Sequence, residues 1–322
     1  MSQAISVVIP MFNEARHITR TLQAVRAAAE RAGCEWEVIV VDNGSSDDGP
    51  RIARELGARV LDCPRLSIAA LRNRGAAASR HAWLAFLDAD MQVPESWLLE
   101  WNNVRQKDCA DVLGLVHQPP PQAPWYARAW LHKVAAERDR ATLLDWLPTA
   151  NLCLERHWFE RVGGFDERLR TGEDKDFSLR LGRAGARLLS LPTPTVLNWG
   201  FETSWREWLG KELWRQNSLV QLLRGNQLNP RLLRFPLLAA GHWAVTAFAL
   251  LLLLLGQPLA ALGVFAFGWL PAALLTLRHR YNRRRPLLAL RLLLLHWLRM
   301  HVAGLALLLG FLDLTARRPS RG

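Results

Sequence analysis

Short apolar runs closed by polar turns alternate with helical stretches along the first two hundred residues. Ile5–Pro10, Glu37–Val41, Ala58–Asp62, Trp83–Leu87, Asp111–Val116 and Asn151–Leu154 read as strands. Runs this short and this apolar suit strands that are covered on both faces. Between them, about Ala15–Arg31, Arg51–Leu56 and Leu66–Ser79 read as helices, and another opens at Gly172 and runs to Gly185. Alternation of strand and helix predicts an α/β domain with a parallel, doubly wound sheet. Asn13, Asp42 and Asp88 all follow strands, so their loops should open on one edge of that sheet. In open α/β sheets that edge is where ligands bind. The alternation breaks at Gln118-Pro119-Pro120-Pro121-Gln122-Ala123-Pro124, which begins a stretch rich in Trp and Arg, to about Pro148. That stretch reads either as an ordered insert or as a mobile lid.

From Trp199 the pattern changes. Trp205, Trp208 and Trp214 are interleaved with Arg206, Lys211 and Arg215. Indoles with long cations between them mark a membrane interface; an amphipathic helix packed on the globular part is the alternative. Pro236–Leu255 and Pro258–Leu277 then each approach the roughly 20 residues that a spanning helix needs. Gly256-Gln257 is long enough only for a hairpin between them. The loop from Arg278 to Arg285 is strongly basic, which places it in the cytoplasm by the positive-inside rule. A third apolar stretch, Leu287–Leu312, carries Arg291, His296, Arg299 and His301. Its length favours a third span, whereas its charges and the basic tail favour an interfacial or re-entrant segment.

Charge sharpens this division. Residues 1–200 hold 25 basic and 25 acidic side chains, whereas residues 201–322 hold 16 and 4. The excess of +12 therefore lies in the apolar part, which argues for a bilayer with anionic lipid rather than for nucleic acid. Cys34, Cys63, Cys109 and Cys153 form no metal-ligand spacing and read as reduced thiols. MSQAISVVIP has neither the basic flank nor the long apolar core of a signal peptide. The expectation is a multi-pass protein of the cytoplasmic (inner) membrane, with its N-terminal domain facing the cytoplasm.

The chemistry concentrates where the apolar run Trp83–Leu87 meets Asp88-Ala89-Asp90. Two carboxylates at a strand end can share a hard cation with the phosphates it bridges, since Mg²⁺ takes one or two carboxylates plus phosphate oxygens. The bland reading is a solvated turn. Glu173 and Asp174, at the start of a helix, have an equally bland reading as acidic residues that suit the helix dipole.

Taken in order, Val7-Val8-Ile9-Pro10-Met11-Phe12-Asn13-Glu14, Val41-Asp42-Asn43-Gly44-Ser45-Ser46-Asp47, Leu87-Asp88-Ala89-Asp90, Gly163-Gly164-Phe165-Asp166 and Gly172-Glu173-Asp174-Lys175-Asp176 resemble the family 2 glycosyltransferases. The resemblance covers roughly residues 4–225. It implies a GT-A fold (Rossmann-like, mostly parallel sheet) as catalytic domain over residues 1–200. Interfacial helices would follow over 201–235 and an α-helical membrane region over 236–316. It further implies that Pro10, Asn13, Glu14 and Asp42 line the nucleoside pocket and that Arg72 helps to hold the nucleotide. Asp88 would contact the ribose or the metal, Asp90 would ligate Mg²⁺ or Mn²⁺, and Asp174 would be the general base. Gly163, Gly164, Phe165 and Glu173 would shape the acceptor side, with Arg215 and Gln216 as candidates for closing over the donor. The Gln-x-x-Arg-Trp pattern of processive synthases is absent, and Asn198 stands where many members carry a histidine.

The resulting expectation is an inverting transferase, with one base opposite one leaving group. It would take a UDP- or GDP-sugar and a lipid-linked or glycan acceptor. A non-catalytic membrane scaffold that keeps the fold is the alternative. A sugar nucleotidyltransferase would want a Gly-rich basic loop after the first strand, and Met11-Phe12-Asn13-Glu14 is not one.

Overall fold

A computed structural model describes residues 4–136, 140–169, 172–213, 230–278 and 285–311. The chain divides into two compact units: Met1–Pro121 with Val134–Phe201, and Gln122–Lys133 with Glu202–Gly322.

The first unit is built on a nine-stranded mixed sheet. Its strands are β1 (Ala4–Met11), β2 (Glu35–Asp42), β3 (Arg59–Asp62), β4 (Trp83–Leu87), β5 (Met91–Gln92), β6 (Val112–Gln118), β7 (Thr142–Leu143), β8 (Asn151–Glu155) and β9 (Leu188–Asn198). They run in the order β3-β2-β1-β4-β8-β6-β9-β5, with β7 paired on β9. Strands β1 to β4 are parallel to one another, as are β6 and β9. β8 lies antiparallel between β4 and β6, and β5 and β7 run antiparallel to β9. The sheet is thus mostly parallel but mixed, where strand–helix alternation alone predicts a parallel one.

Side-chain alternation along these strands makes two cores. Ile5, Val7 and Ile9 of β1, Val38 and Val40 of β2, and Ala85 and Leu87 of β4 face one of them. There they meet α1 (Ile18–Ala32), α2 (Gly49–Glu55) and α4 (Trp97–Gln106). Val8, Ile39, Val41, Leu84 and Phe86 face the other, against α3 (Ile68–Ala78), α6 (Arg156–Arg161) and α7 (Glu173–Arg183). α1 begins three residues later than its apolar pattern suggests, because the Glu14 carbonyl accepts from both His17 and Ile18 and so closes a turn first.

The second unit contains α5 (Trp125–Ala136), a helix over 205–213, α8 (Pro230–Leu254), α9 (Pro258–Phe267), α10 (Leu270–Leu277) and α11 (Pro286–Phe311). The expected second span is therefore two helices, broken at Gly268-Trp269, where the Gly268 carbonyl lies 3.1 Å from His242 Nδ1. Among the described residues three stretches are long and apolar enough to cross a membrane: Phe235–Leu254, Pro258–Leu277 and Pro286–Leu309.

The polar residues that count against a span in α11 have partners inside this unit. Arg299 pairs with Glu212 at 2.9 Å and lies over the Trp130 ring. His301 lies 3.0 Å from His242, and Arg291 stands over Trp125. Polar residues in spanning segments face the bundle interior and pair in this way. Of the residues read as interfacial, Trp208 is fully buried against Trp205 and Trp130, and Lys211 pairs with Glu202 at 3.1 Å. Trp214, Arg215 and most of the basic loop after Arg278 lie outside the described residues.

Candidate active site

Because β1, β2 and β4 are parallel, their C-terminal ends share one edge. The loop after β1 and the loop after β2 are knitted together there. Asn13 takes a left-handed backbone (φ 54°), its N–H donates to Ser45 Oγ at 2.9 Å, and its Oδ1 accepts from Ser46 N–H at 2.8 Å. Asp42 is buried and accepts from the N–H groups of Gly44 and Ser45 and from the Ser45 hydroxyl. Asp47 accepts from Ala15 N–H at 2.8 Å. Pro10 and Glu14 are buried in the same region, and Phe12 between them is 43% exposed. Ser45, Asp47 and Phe12 carry no role in the sequence reading. The first two belong to a polar, turn-rich run whose partners become visible only in three dimensions.

The turn Asp88-Ala89-Asp90 is held on three sides. Asp88 N–H donates to the Ala150 carbonyl at 3.1 Å, the Thr21 hydroxyl to the Ala89 carbonyl at 2.7 Å, and Trp199 N–H to the Asp90 carbonyl at 2.9 Å. Trp199 is itself fixed by its indole N–H on Gln92 (2.8 Å) and by the Arg20 guanidinium over its ring. Asn198 is in register with Met91, and its side-chain oxygen accepts from Gly200 N–H. A turn so anchored presents its carboxylates in one geometry, which is what a binding site needs.

Arg72 reaches this turn from α3. Ser67 caps that helix by accepting from Ala70 N–H. Ala69, Arg72, Gly75 and Ala76 form its buried face. Arg72 Nη2 lies 3.0 Å from Asp88, and Nη1 lies 2.9 Å from Glu173 in the first turn of α7. That turn starts from Gly172 at φ 79° and carries Glu173, Asp174 and Asp176 on the positive end of the helix dipole. Burial pushes the Asp174 carboxyl above the usual carboxylate range, and the neighbouring Glu173 charge adds to the shift. An aspartate so raised is a better proton acceptor than an exposed one.

The Gly163-Gly164 turn is left-handed at both glycines (φ 73° and 69°). A Cβ on Gly164 would stand 2.8 Å from Asn73 Oδ1. Asn73 accepts from Phe165 N–H and donates to the Phe165 carbonyl, while Arg180 donates to the carbonyls of Val162 and Gly164. Phe165 itself is 3% exposed and packs on Phe177 and Phe86. It sits in the aromatic core beneath α7. Arg215 and Gln216 lie outside the described residues.

Among the described residues no group of three or more His, Cys, Asp or Glu side chains is placed to hold a metal ion. Asp88 and Asp90 offer hard oxygens without soft or imidazole ligands, a donor set that fits Mg²⁺ or Mn²⁺ completed by phosphate oxygens.

Comparisons with known proteins bear on the family and fold of this unit. The pre-mycofactocin glycosyltransferase of Mycobacterium tuberculosis is 30% identical over 238 residues, 68% of this chain and 47% of that protein. The undecaprenyl-phosphate 4-deoxy-4-formamido-L-arabinose transferase of Pseudomonas syringae is 29% identical over 138 residues, 40% of each. The chain thus spans about half the length or less of these two relatives. The solved mannosyltransferase PcManGT of Pyrobaculum calidifontis, in complex with GDP-Man and Mn²⁺, superposes with a TM-score of 0.58 at 19% identity. That match covers 95% of this chain and 88% of the other, and it is a likeness of fold. Residues 6–161 match the sequence model of glycosyl transferase family 2. The N-terminal unit, GT-A-like in fold, thus carries a glycosyl transferase family 2 domain over residues 6–161.

Proposed function

We propose that the chain is an inverting, membrane-anchored glycosyltransferase. It moves a sugar from a nucleoside-diphosphate sugar, of UDP or GDP, to a lipid-linked or membrane-proximal acceptor. The observation that carries the reading is the joining of the Asp88-Ala89-Asp90 turn to the first turn of α7, which bears Asp174, on one sheet edge. Pro10, Asn13, Glu14 and Asp42 line the nucleoside end of the donor site, and Phe12 offers an exposed aromatic face for the base. Asp90, with Asp88, would hold the divalent cation, which when bound neutralises charge on the departing diphosphate. Asp174 takes the proton from the acceptor hydroxyl. That oxygen then bonds the anomeric carbon as the carbon–phosphate-oxygen bond breaks. The nucleoside diphosphate leaves on the opposite face, so the anomeric configuration inverts.

A lipid acceptor is supported by the three apolar stretches among the described residues and by the undecaprenyl-phosphate acceptor in the name of the Pseudomonas relative. The free thiols and the basic loop after the second apolar stretch support a catalytic unit on the cytoplasmic side of the inner membrane. The test is release of nucleoside diphosphate from UDP- and GDP-sugars by detergent-purified protein, with membrane lipid extract, Mn²⁺ or Mg²⁺, and EDTA as control. One donor should be turned over, lipid should raise the rate, and EDTA and Asp90→Asn should each lower it by about a hundredfold or more. No release and no nucleotide binding would move the reading to a scaffold that retains the fold.

A further inference from the structure

A cation, Arg72, stands between the donor-side turn and the helix that carries Asp174. Arg72 is 5% exposed at its side chain, and both terminal nitrogens are committed: Nη2 to Asp88 at 3.0 Å and Nη1 to Glu173 at 2.9 Å. Its guanidinium carbon lies 5.6 Å from the centre of the Phe165 ring, at the edge of the aromatic core. Nε has no hydrogen-bond partner among the described residues. Glu173 is 13% exposed and Asp88 35%. The partner towards α7 is thus nearly buried, and the partner on the donor side keeps an open flank.

Resemblance to the family implies that Arg72 holds the nucleotide and that Glu173 belongs to the acceptor side. The geometry favours another division of labour. A guanidinium that left this place for a phosphate would strand a nearly buried Glu173 carboxylate without countercharge, a strongly unfavourable state. Arg is also the side chain whose planar fork can serve two carboxylates at once from a fixed position. Extending the proposed transferase reading, we propose that Arg72 is a positioning residue. It straps the base-bearing first turn of α7, through Glu173, to the donor-side carboxylate Asp88. Donor binding and acceptor activation are then aligned by one side chain that touches neither substrate. Asp88 is held by the strap on one oxygen while its exposed flank serves the donor. Glu173 is the anchor that fixes where Asp174 points.

Two conservative variants test this, Arg72→Lys and Glu173→Gln. A lysine keeps the charge but satisfies one carboxylate, not two. Three measurements apply to each variant and to the double variant: nucleoside-diphosphate affinity with Mn²⁺, steady-state kcat and KM, and amide hydrogen exchange across Glu173–Phe177. Displacing a catalytic group by about 1 Å costs on the order of a hundredfold in rate. Each variant should therefore lose kcat by about tenfold to a hundredfold, with nucleotide affinity within about threefold of wild type. Exchange at Glu173–Phe177 should rise while β1 and β4 stay protected, and the double variant should be no worse than the poorer single one. A large loss of nucleotide affinity in Arg72→Lys with unchanged exchange in α7, or losses that multiply in the double variant, would make Arg72 a nucleotide ligand and overturn the strap. The exchange measurement needs no turnover. If the wild-type protein releases no nucleotide from any donor, the transferase reading fails, and local loosening of α7 still decides whether the strap exists.

Discussion

At the scale of single residues, the raised pKa of Asp174 links function to stability. Its carboxyl is held above the ordinary value by burial and by Glu173, so ionising it is harder in the folded chain than in the unfolded one. Stability from this group is complete below the unfolded value of about 3.9 and is lost as pH rises through the higher folded value. At pH 7 the whole of that loss is in force. Asp174→Asn should therefore abolish transfer by about a hundredfold or more while leaving Mn²⁺-dependent nucleotide binding intact. Its urea midpoint at pH 7 should equal or exceed that of wild type, with the difference vanishing near pH 3. An Asn variant that transfers sugar at a near-normal rate would remove the base from this position. The acidic limb of the wild-type rate profile should likewise lie above the range of an exposed carboxylate. The placement of Asp88, Asp90 and Asp174 at the ends of elements is readable from the chain alone, because an apolar run closed by charge, or an acidic first turn, marks such an end. The Arg72–Glu173 pair is not readable, since its members are 101 positions apart. The hydroxyl of Ser45, set between Asp42 and Asn13, is hidden for the same reason.

At the scale of elements, close packing decides where side chains are allowed. α3 lies so near the sheet at Gly75 that a Cβ there would meet Val8 Cγ1 at 2.2 Å and Val41 Cγ2 at 3.1 Å. Gly75→Ala trades a gain in helix propensity for overpacking in a filled core. Overpacking costs about 1–3 kcal/mol and outweighs the gain of up to about 1 kcal/mol. The variant should lower the urea midpoint and, by tilting the helix that carries Arg72, should reduce turnover as well. Gly304 in α11 has the same character. A Cβ there would fall 2.2 Å from the Trp243 ring, whose N–H donates to the His301 carbonyl at 3.1 Å. Gly304→Ala should lower the melting temperature of the protein in detergent. Adding Trp243→Ala should restore part of the loss, because the clash is removed. The strands from β1 to β4 are legible because their apolar runs carry direction through the helices that connect them. β8 is different: Asn151-Leu152-Cys153-Leu154-Glu155 reads as a strand, yet nothing in a buried run says that it enters antiparallel between β4 and β6. The break at Gly268-Trp269 is equally silent, since the sequence stays apolar across it.

At the scale of the whole chain, composition divides a neutral α/β unit from a basic, apolar helical one, and that division carries the topology. Among the described residues three stretches suit a bilayer by length and hydropathy. The third had charge against it in sequence, because partners such as Glu212 for Arg299 and His242 for His301 come from distant segments. It is also the most buried of the three inside the protein, 39% against 17% and 22%. If the helices span the membrane, the protein should remain in the membrane pellet after extraction at alkaline pH. The sidedness of the catalytic unit can be read from its own thiols. All four cysteines are free, Cys109 is exposed and Cys153 is buried. A cytoplasmic α/β unit should leave Cys109 unlabelled by a membrane-impermeant maleimide in intact bacterial spheroplasts. Permeabilisation should label it, and Cys109→Ser should remove most of that signal. Nucleotide sugars are made in the cytoplasm, and labelling of Cys109 in intact spheroplasts would put the proposed donor-binding edge on the other side. The proposed donor would then have to be replaced by one that is itself carried on lipid.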